Sequence, residues 1–195
     1  MLDQLIEFDI KAFLFLNNLG STTFDFFWVL LSNKTSNILV YVLISFMYYK
    51  KKGINSLILI LFFSVLMILV TDQTTNLFKF SFERLRPCHD ESLYNLFRLP
   101  NNYCGGKYGF FSGHSSNSFA LATFFGLIFL NFNKYITYIL FLIASLIAYS
   151  RIYLGVHFLL DVISGSIFGI ISGYFFYKTS SFLFKIFYSN RTINF

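Results

Sequence analysis

Charge is scarce in this chain. Of its 195 residues only 12% are Asp, Glu, Lys or Arg, while 56% are hydrophobic and the mean hydropathy is +0.63. An ordinary soluble domain of this size has about 25% charged residues, so the deficit excludes a water-soluble globule and points to a polytopic membrane protein. Proline is nearly missing, at 2 residues, and no linker or low-complexity tract divides the sequence, so residues 1–195 read as a single domain. Acidic residues are fewer still than basic ones, and the net charge is +6. The basic residues do not gather into a stripe interleaved with aromatics, which excludes nucleic acid as a partner. Beside apolar helices they report topology and anionic headgroups. Carboxylates do not cluster in a way that suits Mg2+ or a two-metal site. Cys88, Cys104 and the adjacent His89 lack a clear fourth zinc ligand. Neither a metal nor a cofactor is expected. Residues 1–20 carry Asp3, Glu7 and Asp9 before any apolar run, unlike a signal peptide, which starts basic and turns apolar.

What the chain has is long apolar runs, with 29 phenylalanines. A bilayer crossing needs about 20 mostly apolar residues. The runs at 36–49, 55–78, 113–131, 135–153 and 158–177 give five spans, the first drawing length or tilt from 24–35. The second has an apolar core over 57–70 and a polar outer end over 71–76. A sixth span arises if residues 5–31 cross as a helix broken around 17–23. Leu2, Leu5, Ile6, Ile10, Phe13, Leu14 and Leu16 recur at roughly helical spacing. That pattern suits an amphipathic helix in the interface or, equally, a helix packed on the bundle. The expected fold is all-α: a transmembrane bundle of five to six spans with an N-terminal amphipathic helix.

Lys50, Lys51 and Lys52, Lys134, and Lys178, Lys185 and Arg191 lie in loops without Asp or Glu that alternate to one face. Positive charge marks that face as cytoplasmic. The opposite, outer face receives the 79–111 loop, the start of the third span and the junction around 151–157. Lys79, Arg84, Arg86, Arg98, Lys107 and Arg151 also lie there, and those assigned to a site are set aside as held by function. Cys88 and Cys104 share this outer loop. In an oxidising compartment they could form a disulfide, contributing roughly 3 kcal/mol on the chain-entropy estimate; two free thiols are the alternative.

Three stretches concentrate ionisable groups that are costly near a bilayer unless they do something. His157 and Asp161 are four residues apart, one helical turn on the same face. The carboxylate can fix the imidazole tautomer and free the other nitrogen to attack, although a buried polar pair joining two helices has the same spacing. Arg151 precedes His157 across Gly155, and with Lys79 and Arg86 it would give three fixed cations suited to a phosphoryl group. Headgroup snorkelling is the bland reading of such cations. Ser112-Gly113-His114 opens the third span, where unpaired N–H groups and the helix dipole favour an anion. Ser112 can donate its hydroxyl, Gly113 allows close backbone approach, and His114 can act as general acid. Read blandly, Ser112 is an N-cap and His114 an interfacial residue.

Together these residues resemble the type-2 phosphatidic acid phosphatase superfamily, which shares its core with vanadium haloperoxidases. That family's signature is K-x6-R-P, P-S-G-H and S-R-x5-H-x3-D. Here it reads Lys79 to Arg86-Pro87, Phe111-Ser112-Gly113-His114, and Ser150-Arg151 to His157 and Asp161. Phe111 replaces the usual proline, which leaves the helix entry less rigid but removes no chemical group. Residues 1–78 and the C-terminal tail carry no comparable signature.

The resemblance implies a metal-independent lipid phosphatase. His157 would be the nucleophile, Asp161 its orienter and His114 the acid, then base. Lys79, Arg86, Arg151, Ser112 and Gly113 would bind the phosphate. It further implies a bacterial inner-membrane protein with its site facing the periplasm and a lipid phosphate as partner. The first expected substrate is undecaprenyl diphosphate and the second lipid A, followed by phosphatidylglycerophosphate and phosphatidic acid. Arg98, Tyr103, Lys107 and Tyr108 are candidate headgroup contacts. The competing readings are a phospholipid-binding or anion-transporting protein, and a vanadate-dependent oxidase.

Overall fold

A computed structural model describes residues 2–100, 102 and 104–188. Tyr103 and Arg191, which figure in the sequence reading, lie outside the described residues. Six helices follow in order: α1 (Leu2–Asn18), α2 (Thr22–Ser32), α3 (Lys34–Phe82), α4 (Gly113–Phe129), α5 (Lys134–Tyr153) and α6 (Leu159–Tyr188). Between α3 and α4 the chain makes two 3-10 turns, Pro87–His89 and Glu91–Leu93, and an isolated bridge pairs Leu85 with Tyr108.

Three stretches, Thr35–Phe82, Lys134–Tyr153 and Leu159–Ile186, are long and apolar enough to cross a bilayer. The first is not straight. Gly53 sits at φ 77° and ψ 179°, a backbone state that a side chain would strain, and it splits α3 into arms 34–52 and 54–82. Descending the first arm, Tyr41 meets Phe125 and Tyr48 meets Phe129, their ring centres 5.6 and 6.1 Å apart. Lys51 and Lys52 then lie over Phe132 at the far end. The second arm climbs back, and Thr71 hydrogen-bonds Asn117 at 2.6 Å. The arms therefore run in opposite senses beside α4.

The first arm is long enough without help from α2. Asn33 interrupts the helix with φ −75° and ψ 129°, and its Oδ1 caps α3 by accepting from the Thr35 N–H at 2.8 Å. No sixth crossing forms either. Asp9 bonds the start of α6, Asn17 bonds the end of α5, and Ser32 bonds Arg151. Both N-terminal helices thus stay at one end of the bundle, because buried polar groups at three points along them find partners only there.

The core centres on α4. A Cβ at Gly165, Gly169 or Gly173 of α6 would collide with the carbonyl of Ser112, Ser116 or Ala120 respectively. The small-residue row brings the two backbones together where apolar area alone would not hold helices in lipid. Phe124, Phe125, Phe129, Ile60, Met67, Leu140 and Ala144 fill the middle. A second cluster of Phe13, Leu93, Ala148, Ile152, Phe158 and Val162 seats α1 on the bundle. The exposed Ile38, Val42, Phe46, Ile58, Phe62, Val65, Leu142 and Phe175 form an apolar belt far larger than a soluble surface carries; it is the face that meets acyl chains.

Candidate active site

Lys79 stands in the last turn of α3, which stops at Glu83 in a left-handed conformation. Beyond it the chain pairs with the segment before α4: Arg86 N–H donates to the Lys107 carbonyl at 3.2 Å, and Gly109 N–H to the Arg84 carbonyl at 2.8 Å. Arg86 is buried, and its guanidinium donates to the carbonyls of Tyr108 (3.2 Å), Cys104 (3.4 Å) and Val156 (3.5 Å). Cys88 and Cys104 are joined by a disulfide, with Cα atoms 5.8 Å apart, which fixes one of these carbonyls, that of Cys104, two residues from Arg86 along the cross-link.

Ser112 is the N-cap of α4. Its Oγ accepts from the Ser115 N–H at 3.4 Å and from the Ser115 hydroxyl at 3.0 Å, leaving its own O–H to donate. Its backbone N–H donates to the Asp161 carbonyl at 3.0 Å. Gly113 follows, where a Cβ would stand 3.9 Å from Lys79 Nζ, and half-buried His114 continues the same turn. Phe111 does not loosen the entry. Its ring packs against Phe78 and Phe168, at 5.2 and 5.1 Å between centres, so aromatic contact with α3 and α6 holds what proline would have stiffened.

The third motif spans the end of α5 and the start of α6. Gly155, at φ +73°, turns the chain where a Cβ would press on the Arg98 carbonyl at 2.7 Å. Arg151 donates to the Ser32 hydroxyl at the end of α2. His157 is 2% exposed, and its Nδ1 lies 3.3 Å from Asp161 Oδ2. With Nδ1–H given to the carboxylate, Nε2 keeps its lone pair. Asp161 is fully buried. Oδ2 also accepts from the Phe158 N–H at 3.1 Å, while Oδ1 accepts from Arg84 at 2.7 Å. Burial, and then the positive charges of Arg86, Arg151 and Lys79, hold His157 well below the usual imidazole pKa, so it is neutral at pH 7.

Lys79, Arg86, Ser112, Gly113, Arg151, His157 and Asp161 thus converge at one end of the bundle. Arg98, a candidate headgroup contact in the sequence, is engaged by the protein itself. It pairs with Asp25 at 2.9 Å and lies over Tyr153, tying the loop to α2. Lys107 is exposed beside Tyr108. Among the described residues no group of three His, Cys, Asp or Glu stands together as metal ligands would.

Sequence reasoning missed two residues in the middle of the site. Arg84 lies inside the six-residue spacer of the first motif and was counted only as a charge. Gly109 sits so close that a Cβ there would stand 3.0 Å from Asp161 Oδ2 and 3.6 Å from His157 Nδ1. It also missed Asp9 and Asn17, although with Phe13 they lie at i, i+4 and i+8 on one helical face. That spacing was the available signal.

The PAP2 superfamily model matches residues 58–185. The chain is 35% identical over 178 residues to a lipid A 4'-phosphatase of Porphyromonas gingivalis, covering 91% of this chain and 75% of that protein. It is 31% identical over 181 residues to a lipid A 4'-phosphatase of Bacteroides thetaiotaomicron, covering 91% and 79%. Among solved structures, Aquifex aeolicus LpxE superposes with a TM-score of 0.64 at 29% identity, over 87% of this chain and 94% of that one. A PAP2-type phosphatidylglycerolphosphate phosphatase from Bacillus subtilis superposes with a TM-score of 0.72, over 91% and 87%, and at 19% identity it speaks for the fold alone.

Proposed function

Since the chain belongs to the PAP2 superfamily and is a membrane lipid phosphatase, we propose that its substrate is lipid A and that it removes the 4'-phosphate. The buried His157–Asp161 pair beneath three cations is the observation that carries the reaction. The names of the two relatives, matched over most of their length, support the substrate. Undecaprenyl diphosphate, the first expectation from the sequence, gains nothing from these relatives and becomes the competitor to be tested.

The reaction runs in two displacements. His157 Nε2 attacks phosphorus, the bond from phosphorus to the sugar oxygen breaks, and His114 protonates the departing alcohol. Water, deprotonated by His114, then attacks the phosphohistidine, and inorganic phosphate leaves with His157 restored. Lys79, Arg86 and Arg151 hold the non-bridging oxygens, joined by the Ser112 hydroxyl and the N–H groups at the start of α4. Their charge is fixed in place before substrate arrives, so no reorganisation is needed as charge develops on those oxygens. The lysine-rich end of the bundle supports placing the site on the periplasmic side of the inner membrane.

The test is phosphate release in detergent with EDTA, comparing wild type and His157→Ala on bisphosphorylated lipid A and on undecaprenyl diphosphate. Wild type should release phosphate from lipid A, with mass spectrometry locating the loss at the 4' position. His157→Ala should lose at least about 1,000-fold in rate, roughly 4 kcal/mol of barrier. Release from undecaprenyl diphosphate alone, or from the 1 position of lipid A, would overturn the substrate; undiminished release by His157→Ala would overturn the mechanism.

A further inference from the structure

Asp9 lies far in sequence from every motif and is completely buried. A carboxylate without water needs strong partners, and this one has two. Oδ1 accepts from the Leu160 N–H, in the first turn of α6, at 2.9 Å, and Oδ2 accepts from Arg84 Nη2 at 2.5 Å. The other arm of the same guanidinium, Nη1, reaches Asp161 Oδ1 at 2.7 Å. Arg84 also lies over the Phe158 ring at 4.5 Å, and Phe13, one turn on from Asp9, packs edge-on to that ring at 5.3 Å. One guanidinium is therefore shared between a carboxylate of α1 and the carboxylate that faces His157.

The sharing has a geometric consequence. A guanidinium beside a lone carboxylate prefers to bind both of its oxygens. Here that would draw Asp161 Oδ2 away from His157 Nδ1 and the Phe158 N–H. We propose that Asp9 is a positioning residue for the phosphatase reaction: by engaging Nη2 it confines Arg84 to Asp161 Oδ1 and reserves Oδ2 for His157. This rests on the reading of His157 as the nucleophile. Asp9 itself touches no phosphate-binding group.

The charged and titratable groups around the His157 site come from every neighbouring element: Asp9 on α1, Lys79 at the end of α3, Arg84 and Arg86 just after it, His114 in the first turn of α4, Arg151 on α5 and Asp161 on α6. Removing the Asp9 charge leaves Arg84 uncompensated, which favours neutral His157. Removing the Arg84 charge does the opposite.

The experiment compares kcat, KM and the pH profile of kcat/KM for wild type, Asp9→Asn, Asp9→Glu, Arg84→Gln, His157→Ala and the surface control Glu7→Gln. The substrate is whichever lipid phosphate the wild type hydrolyses, and rates are normalised to monodisperse protein. Asp9→Asn should lower kcat about tenfold, the scale on which loss of a partner behind a functional ligand acts, with KM unchanged. Its acid limb should move to lower pH, and that of Arg84→Gln to higher pH. Asp9→Glu should recover part of kcat, and Glu7→Gln should match wild type. Wild-type kcat and acid limb in Asp9→Asn, with His157→Ala inactive, would overturn the positioning role alone. So would a loss confined to the yield of folded protein. Activity in His157→Ala would instead overturn the mechanism on which it rests.

Discussion

The last three helices and the first two reach the same end of the molecule by different means. α4 and α6 meet backbone to backbone, with Gly165, Gly169 and Gly173 lying against the carbonyls of Ser112, Ser116 and Ala120, and α5 packs its side chains against α4 at Gly126. These helices, the N-cap of α4 and the turn joining α5 to α6 carry the second and third motifs. α1 and α2 leave Leu5, Phe8, Phe15, Phe24 and Phe26 exposed, rest on the bundle through Phe13 and Trp28, and are fixed in place there by a few buried polar groups. Asn17 is the clearest of these. Its amide donates to the carbonyls of Ile152 and Tyr153, and of Arg98, at 2.9–3.0 Å, and accepts from the Arg98 N–H at 2.7 Å. Asp9 similarly takes the Leu160 N–H. A helix leaves its first N–H and last C=O groups without partners, and here the N-terminal pair supplies partners for the end of α5 and the start of α6. One region makes the site by close packing, and the other completes it by satisfying what packing leaves over.

If that division is right, damage to the two regions differs in kind. Gly169→Val should be the most severe, because the new side chain meets backbone that cannot move aside. Overpacking of this sort costs about 3 kcal/mol, and size-exclusion profiles should show little monodisperse protein. Normal yield and melting temperature would mean that α4 and α6 are not locked by their backbones. Asn17→Ala should fold but lose about 2 kcal/mol, since it strands buried carbonyls without adding bulk. Thermal unfolding measures this, and an unchanged midpoint would make the N-terminal pair dispensable. Mild acid should do least. His157 is held neutral well below the usual 6.5, so its contribution to the acid limb of kcat/KM should appear only under that pH. In a kcat/KM profile, His157 protonating at or above 6.5 would show that burial and the cations of the motifs do not together hold it neutral.

Much of this was legible in the sequence where the cause is local. The apolar runs marked the three stretches long and apolar enough to cross a bilayer, and motif spacing marked Lys79, Arg86, Arg151, His157 and Asp161. Asn33 was harder: a single polar residue ends α2 and caps α3, and the hydropathy around it blurred the two together. Arg84 and Asp9 were invisible for a different reason. They are 75 positions apart in sequence, and no periodicity links a residue in an amphipathic helix to one in a loop after α3. The partner of Arg98 was equally hidden, because Asp25 sits 73 positions away. A charge read alone is assigned to solvent or substrate, and only the fold reveals when another side chain already holds it.

The reversal at Gly53 imposes a rule of parity. Two arms out and back are an even number of crossings, so whatever precedes residue 34 lies on the same side of the bilayer as the loop that follows residue 82. An inverted insertion would carry α1, α2 and the reaction centre across together and leave their contacts intact. A reporter fused at the N-terminus therefore reads out the address of His157, in whichever direction the chain enters the membrane.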